Sequence, residues 1–290
     1  ATIRRQRQMC IRDSVIFIML LSKYYADSPS AVAPRTAELI NKVELNKSKQ
    51  IMFSLICSSV FLIVFCLPLF QLIYWQLSES SINLLSNINL LINSSILGFA
   101  VGIFTIFFAT ALSLSYRQSN KLKLLLSIST SGYAIPGSVI SAGLLIGFDA
   151  IFGTSITIYG IFGLILCLGL RFMTPAYNYS SASLANISKS SENALSLIPS
   201  NPLKAFSSFY YPQMKSALFL GFMIVFIESV KEQPATLLLR PVGFDTLSTK
   251  IYNFTSEGEW EMAASPSILL IFLSLAFVYL INKNIELNTK

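Results

Sequence analysis

The sequence predicts an all-α fold, a polytopic transmembrane helical bundle with about six complete spans. Three observations predict it. Of the 290 residues, 53% are hydrophobic and only 12% charged, where a soluble domain carries about a quarter charged. The apolar residues gather in long runs separated by polar stretches, and a run of roughly twenty is what a bilayer requires. The basic residues gather in alternate loops, as the bias of membrane orientation demands.

The first residues are set aside. Met9-Cys10-Ile11-Arg12-Asp13-Ser14 resembles a translated sequencing-adapter end, and Arg4 to Gln8 look equally foreign, so residues 1–14 are read as an assembly artefact. Val15 to Leu21 is apolar but too short to span, and reads as the tail of a truncated helix. Residues 23–50 read as a polar cytoplasmic linker, so that 15–50 precede the membrane domain proper.

Six spans follow. They run from about Met52 to Trp75, Leu90 to Tyr116, Leu124 to Phe148, Ile156 to Phe172, Ala217 to Val230 and Ile268 to Ile281. The fifth is extended by the preceding stretch 206–214. With the linker in the cytoplasm, one set of loops holds thirteen Lys and Arg, including Arg117, Arg171, Lys189 and Lys283. The opposite set holds three, Lys231, Arg240 and Lys250. This asymmetry puts the C-terminus in the cytoplasm, with 285–290 as a short tail. Gly98 and Gly102, and Gly143 and Gly147, are spaced by four. Such pairs lie on one helix face and let a neighbour approach closely.

Composition also excludes functions. The formal charge is +7 with no histidine. Membrane orientation accounts for the basic residues, so no nucleic-acid partner is expected. Without histidine the chain lacks the commonest metal ligand and the commonest general base. The cysteines form no CxxC pair, so neither a zinc site nor a disulfide framework is indicated. No phosphate-binding glycine loop, nucleophile elbow or HExxH motif occurs. An enzyme is therefore not expected.

Two polar segments are too long and too patterned for plain connectors. In the first, 173–216, Ser191-Glu192-Asn193-Ala194-Leu195-Ser196-Leu197 reads as a short helix. Ser190 or Ser191 suits its cap, and Glu192 suits its positive end. Asn201-Pro202 marks a turn, after which a second short helix can begin near Leu203. In the second segment, 226–250, Glu228 sits in an apolar helix that Pro234 interrupts. A buried acid beside a broken helix suggests a pathway. The plainer reading pairs Glu228 and Glu232 with Lys231 or Arg240.

Three stretches carry a family resemblance. Gly132-Tyr133-Ala134-Ile135-Pro136-Gly137 resembles the GYAIPG segment of permease subunits of bacterial binding-protein-dependent ABC importers. Leu184 through Pro212 resembles their EAA loop, which docks on the ATPase. Lys231 through Pro241, followed by Asp245-Thr246-Leu247, resembles the KELPATLLLRP segment of the ferric-iron branch. The resemblance runs from about residue 52 to the C-terminus. Asn193 replaces the first alanine of the EAA pattern, Ile198 its glycine, Pro212 falls one residue late, and Gln233 replaces a leucine.

The resemblance implies a type I permease domain over 51–284, with the EAA-like loop at 184–212. Leu184, Glu192, Ala194, Leu197, Pro202 and Pro212 would form the coupling loop. Tyr133, Pro136, Glu228, Glu232, Pro234, Thr236, Arg240 and Asp245 would line the translocation path. It implies ferric iron uptake by alternating access in the bacterial inner membrane. The partners would be an ATPase dimer, a periplasmic solute-binding protein and another permease half. That half would be a missing N-terminal half or a second copy, the first fitting the truncated helix better. No cofactor would be bound by this chain; ATP would be used by the partner. No metal ligand set is assigned, although Tyr133, Glu228, Glu232, Asp245 and Tyr252 offer oxygen donors. The alternatives are a permease for thiamine, a polyamine or an oxyanion, and an ion-coupled secondary transporter.

Overall fold

The computed structural model describes residues 46–78, 87–118, 122–153, 160–196 and 201–289, and among these no strand occurs. The presumed artefact at 1–14, the helix tail at 15–21 and most of the linker lie outside the described residues, as do Leu197 and Ile198. The chain divides into two units, Ala1–Ser58 and Ser59–Lys290. Of the first, only 46–58 are described, and they are helical from Lys47 onward. Lys47 and Lys49 therefore belong to a helix, where the sequence reading gave them to the linker.

The helices are α1 (Lys47–Phe61), α2 (Leu67–Ser78), α3 (Ile88–Gln118), α4 (Lys123–Ser131), α5 (Gly137–Phe152), α6 (Ile161–Arg171) and α7 (Met173–Ala185). After them come α8 (Lys189–Ser196), α9 (Pro202–Ala205), α10 (Tyr211–Lys231), α11 (Pro234–Leu239), α12 (Leu247–Glu257) and α13 (Ala264–Thr289). Among the described residues, four stretches are long and apolar enough to cross a membrane: Lys47–Ser78, Ile88–Gln118, Pro202–Lys231 and Ala264–Glu286. The pair α6–α7, bent by 55°, gives a fifth when counted as one span, against the six complete spans expected. The expected third span is two pieces, α4 and α5, divided by a 3-10 turn at Gly132–Ala134 and by Pro136.

Proline accounts for most of the irregularities. It lacks an N–H and crowds the carbonyl four residues before it. Pro175 sits in the first turn of α7 and cannot bond back to Arg171, so the chain bends at Phe172. Pro68 and Pro212 each follow a π turn, Leu62–Cys66 and Phe206–Tyr210. The wider turn re-pairs the backbone ahead of each ring, with Leu67 N donating to Leu62 O and Tyr211 N to Phe206 O.

The core lies where α3, α6, α7 and α10 meet. Leu97 and Val101 of α3 pack with Leu164 and Leu168 of α6, Ala176 of α7 and Val225 of α10. Small residues allow the approach. A Cβ on Gly98 would lie 2.8 Å from the Phe226 ring, and one on Gly102 would lie 2.6 Å from the Phe222 ring. The other spaced pair behaves differently, since nothing lies within 4 Å of a Cβ on Gly143 or Gly147. Phe226 stacks on Phe277 at 3.7 Å between centroids, which fastens α13 to α10.

Candidate functional site

Three interrupted stretches converge at one place. The first is the turn between α4 and α5, the second the bend between α6 and α7, and the third the break between α10 and α11. Arg171 ends α6, and its Nη1 donates to the carbonyl of Ile135 at 3.2 Å. Its Nη2 lies 3.4 Å from Oε2 of Glu232, which stands in the α10–α11 break with extended backbone. Glu232 is 8% exposed. Gly137 opens α5 directly against this pair. A Cβ there would overlap Glu232 Oε1 and lie 2.7 Å from Arg171 Nη1. Gly132 is required in the same way, because a Cβ there would overlap the carbonyl of Leu170.

Arg171 was assigned to a cytoplasmic loop, and Lys231, next to Glu232, to the opposite side. The 3.4 Å contact corrects this. Arg171 lies half-buried at the junction of the bent pair, because the chain runs on as a helix from Met173 where the expected span ended in a loop after Phe172. Sequence reasoning missed it as a site residue. An arginine two positions after Gly169 and four before a proline, at the end of an apolar run, was the available signal.

The backbone at the α10–α11 break is satisfied, as buried backbone must be. Thr236 Oγ1 donates to the carbonyl of Glu232 at 2.7 Å, and Ser248 Oγ donates to the same oxygen at 3.2 Å. Thr236 is fully buried, whereas Pro234 and Pro136 are exposed and Tyr133 is 51% exposed. The following turn is tied to α3. Asn93 Nδ2 donates to the carbonyl of Asp245 at 2.9 Å, and Ser94 Oγ accepts from Leu247 N at 2.8 Å. Thr246 and Thr249 form a reciprocal capping box that starts α12.

Of the five suggested oxygen donors, the three carboxylates do not converge. Glu228 pairs with Lys231 at 3.0 Å, Glu232 with Arg171, and Asp245 with Arg240. The plainer sequence reading thus holds for Glu228, while Glu232 has found a partner from a different helix. Among the described residues, no group of three or more acidic or cysteine side chains is placed to hold a metal ion.

Within the first polar segment, 173–216, lie two short helices, α8 and α9. Ser188, not Ser190 or Ser191, caps α8, accepting from Ser191 N at 3.2 Å. Asn201 caps α9, accepting from Leu203 N at 3.1 Å, with Pro202 in its first turn. Glu192 points inward, not to solvent. Arg117, in the last turn of α3, donates from Nε to Glu192 at 2.9 Å. The same guanidinium donates to the carbonyls of Leu184 and Ile187, the second at 2.5 Å. One side chain therefore joins α3, the end of α7 and α8. Leu184 is buried with Ile187, Met214 and Leu218, beneath the loop. Ala194, Pro202 and Pro212 are exposed on it.

No family model matches the chain. It is 25% identical over 238 residues to the Fe(3+)-transport system permease protein FbpB 2 of Haemophilus influenzae, covering 78% of this chain and 46% of that protein. It is 29% identical over 124 residues to the ferric transport system permease protein FbpB of Actinobacillus pleuropneumoniae, covering 42% of this chain and 18% of that protein. The chain thus spans less than half the length of these curated relatives. Among solved structures, a chain of the MetNI methionine ABC transporter in an inward-facing conformation superimposes with a TM-score of 0.56. That match has 15% identity and covers 70% of this chain and 96% of that one. The chain has an ABC-transporter permease fold and is similar in sequence to ferric-transport permeases.

Proposed function

We propose that this chain is a membrane-spanning permease of an ATP-driven importer that moves ferric iron by alternating access. The segment 231–241 carries the reading. It matches the sequence quoted for the ferric branch at every position but Gln233, and it supplies the helix break at which Glu232 meets Arg171. Non-helical backbone inside a membrane protein belongs where it is buried in protein or lines a path. Residues 51–284 act as the permease domain, with Tyr133, Pro136, Glu228, Glu232, Pro234, Thr236, Arg240 and Asp245 along or beside the path.

ATP hydrolysis belongs to a separate ATPase dimer that docks on α8, α9 and the neighbouring exposed residues Ala194, Pro202 and Pro212. A solute-binding protein delivers its ligand to the opposite face, and a second permease half completes the path. The location is the bacterial inner membrane, with the C-terminus cytoplasmic. Closure of the ATPases moves α8, and Arg117 passes that motion to α3.

Reconstitution of the complete transporter in vesicles tests the reading. Uptake of radiolabelled ferric iron that needs ATP and both partner proteins is the expected result. ATP-driven uptake of thiamine, a polyamine or an oxyanion without iron would change the solute. Uptake driven by an ion gradient without ATP would overturn the importer.

A further inference from the structure

We propose that the Arg171–Glu232 pair is a latch across the path, closed in the resting protein and parted in each transport cycle. The inference rests on the permease reading and deepens it. The first support is the geometry of the pair. Its 3.4 Å separation is long for a charge-assisted hydrogen bond, which sits at about 2.7–2.9 Å. Arg171 Nε and Glu232 Oε1 are buried and have no hydrogen-bond partner. A buried pair holds a structure firmly only when its remaining lone pairs and protons are satisfied. Glu232 also takes a backbone hydrogen bond from Ala235, but Arg171 Nε and Glu232 Oε1 are left over, so the pair is incompletely satisfied.

The second support is position. The other two ion pairs of this region are local. Lys231 and Glu228 lie a turn apart on α10, and Arg240 and Asp245 flank one turn. Arg171 and Glu232 alone in this region join different interrupted stretches, and Ile135 O on Arg171 brings in the third. Each stretch carries a ready hinge: the 55° bend at Phe172, the extended backbone of Glu232, and the extended backbone of Ile135 and Pro136. Parting the pair would remove the tie between the second and third stretches, while Thr174 Oγ1 still donates to the carbonyl of Thr130 between α7 and α4. Gly137 keeps the contact compact, since both charged groups lie against its backbone.

The third support is chemical. Ionisable groups within membrane spans are costly and mark pathways and moving parts. In a closed latch the two charges neutralise each other, and the closed path presents little net charge. When it parts, a carboxylate and a guanidinium face the opened space.

The test uses the complete transporter in sealed vesicles with two variants. In R171M/E232Q both charges are gone, so neither is stranded in the interior and the protein can still assemble. In R171E/E232R the charges are exchanged. Two quantities are read: passive efflux of a trapped small ion without ATP, and ATP hydrolysis without the binding protein. The neutral variant is expected to raise both by about fivefold or more, the low end of ordinary coupling energies. The exchanged variant is expected to bring both back toward the wild-type values. Tight vesicles and unchanged hydrolysis in the neutral variant would overturn the latch. Failure of both variants to assemble would also overturn it, by showing a structural tie instead. The efflux measurement needs neither iron nor ATP. A wild-type protein that fails to import iron therefore sinks the solute reading without touching this one.

Discussion

Gly137 and Gly143 sit on the same helix and differ in what surrounds them. A Cβ on Gly137 would overlap Glu232 Oε1 and crowd Arg171, while nothing lies within 4 Å of one on Gly143. Gly137→Ala is therefore expected to cost about 1–3 kcal/mol, as overpacking does. Gly143→Ala is expected to be neutral or to stabilise by up to about 1 kcal/mol through helix propensity. Thermal unfolding of the two variants in detergent checks the contrast, and equal effects would remove the special role of Gly137. Arg117 gives a second residue-scale prediction. Its fork serves Glu192 and two carbonyls together, geometry that a lysine cannot copy. Arg117→Lys and Glu192→Gln are expected to keep ATP hydrolysis while lowering solute moved per ATP several-fold, within the usual ~5–150-fold range of coupling. Unchanged stoichiometry would detach this contact from coupling. The short helix that carries Glu192 was legible in the sequence, but its partner was not. Only the fold shows that Arg117, at the end of α3, lies beside it.

At the scale of elements, the apolar runs were legible and their continuity was not. Hydropathy reports how long a stretch is apolar, and it is blind to a lost hydrogen bond. The runs over 88–118 and 264–286 fold as single helices close to where their apolar composition put them. The run over 124–148 does not, because Pro136 breaks the ladder at its middle, and the described part of the run over 156–172 continues after a bend into α7, ahead of Pro175. The prolines were in plain sight. What was missing was the tertiary reason for tolerating them, namely partners such as Ile135 O on Arg171 that satisfy the opened backbone. Pro175→Ala restores the missing N–H and is expected to straighten the α6–α7 junction. The variant should melt at a higher temperature and transport more slowly, since the bend is what places Arg171 against Glu232. A variant that is stabilised and transports normally would show that the bend has no part in the cycle.

For the whole molecule, the charge argument for orientation has to be recounted without Arg171. Removing Arg171 from the thirteen basic residues assigned to the cytoplasmic side leaves twelve, still against three. Arg171, paired with Glu232 between helices, is left out of the count, since the rule counts loops near the ends of spans. The contact also strengthens the picture of alternate sides, because Arg117 and Glu192 meet at one end of α3 while Asn93 and Ser94 hold the 245–247 turn at the other. Asn93 and Arg117 are separated by most of the 31 residues of α3, about 35 Å at the usual rise, comparable with the ~30 Å of a bilayer core. We propose that the α8–α9 loop and the turn after Arg240 face different compartments. A cytoplasm-active reporter fused after Lys290 is expected to be active. A single cysteine at the fully exposed Val242 is expected to react with a membrane-impermeant thiol reagent added from outside. Labelling of Val242→Cys only after the membrane is opened would invert the topology, and with it the assignment of α8 to the side where ATP is found.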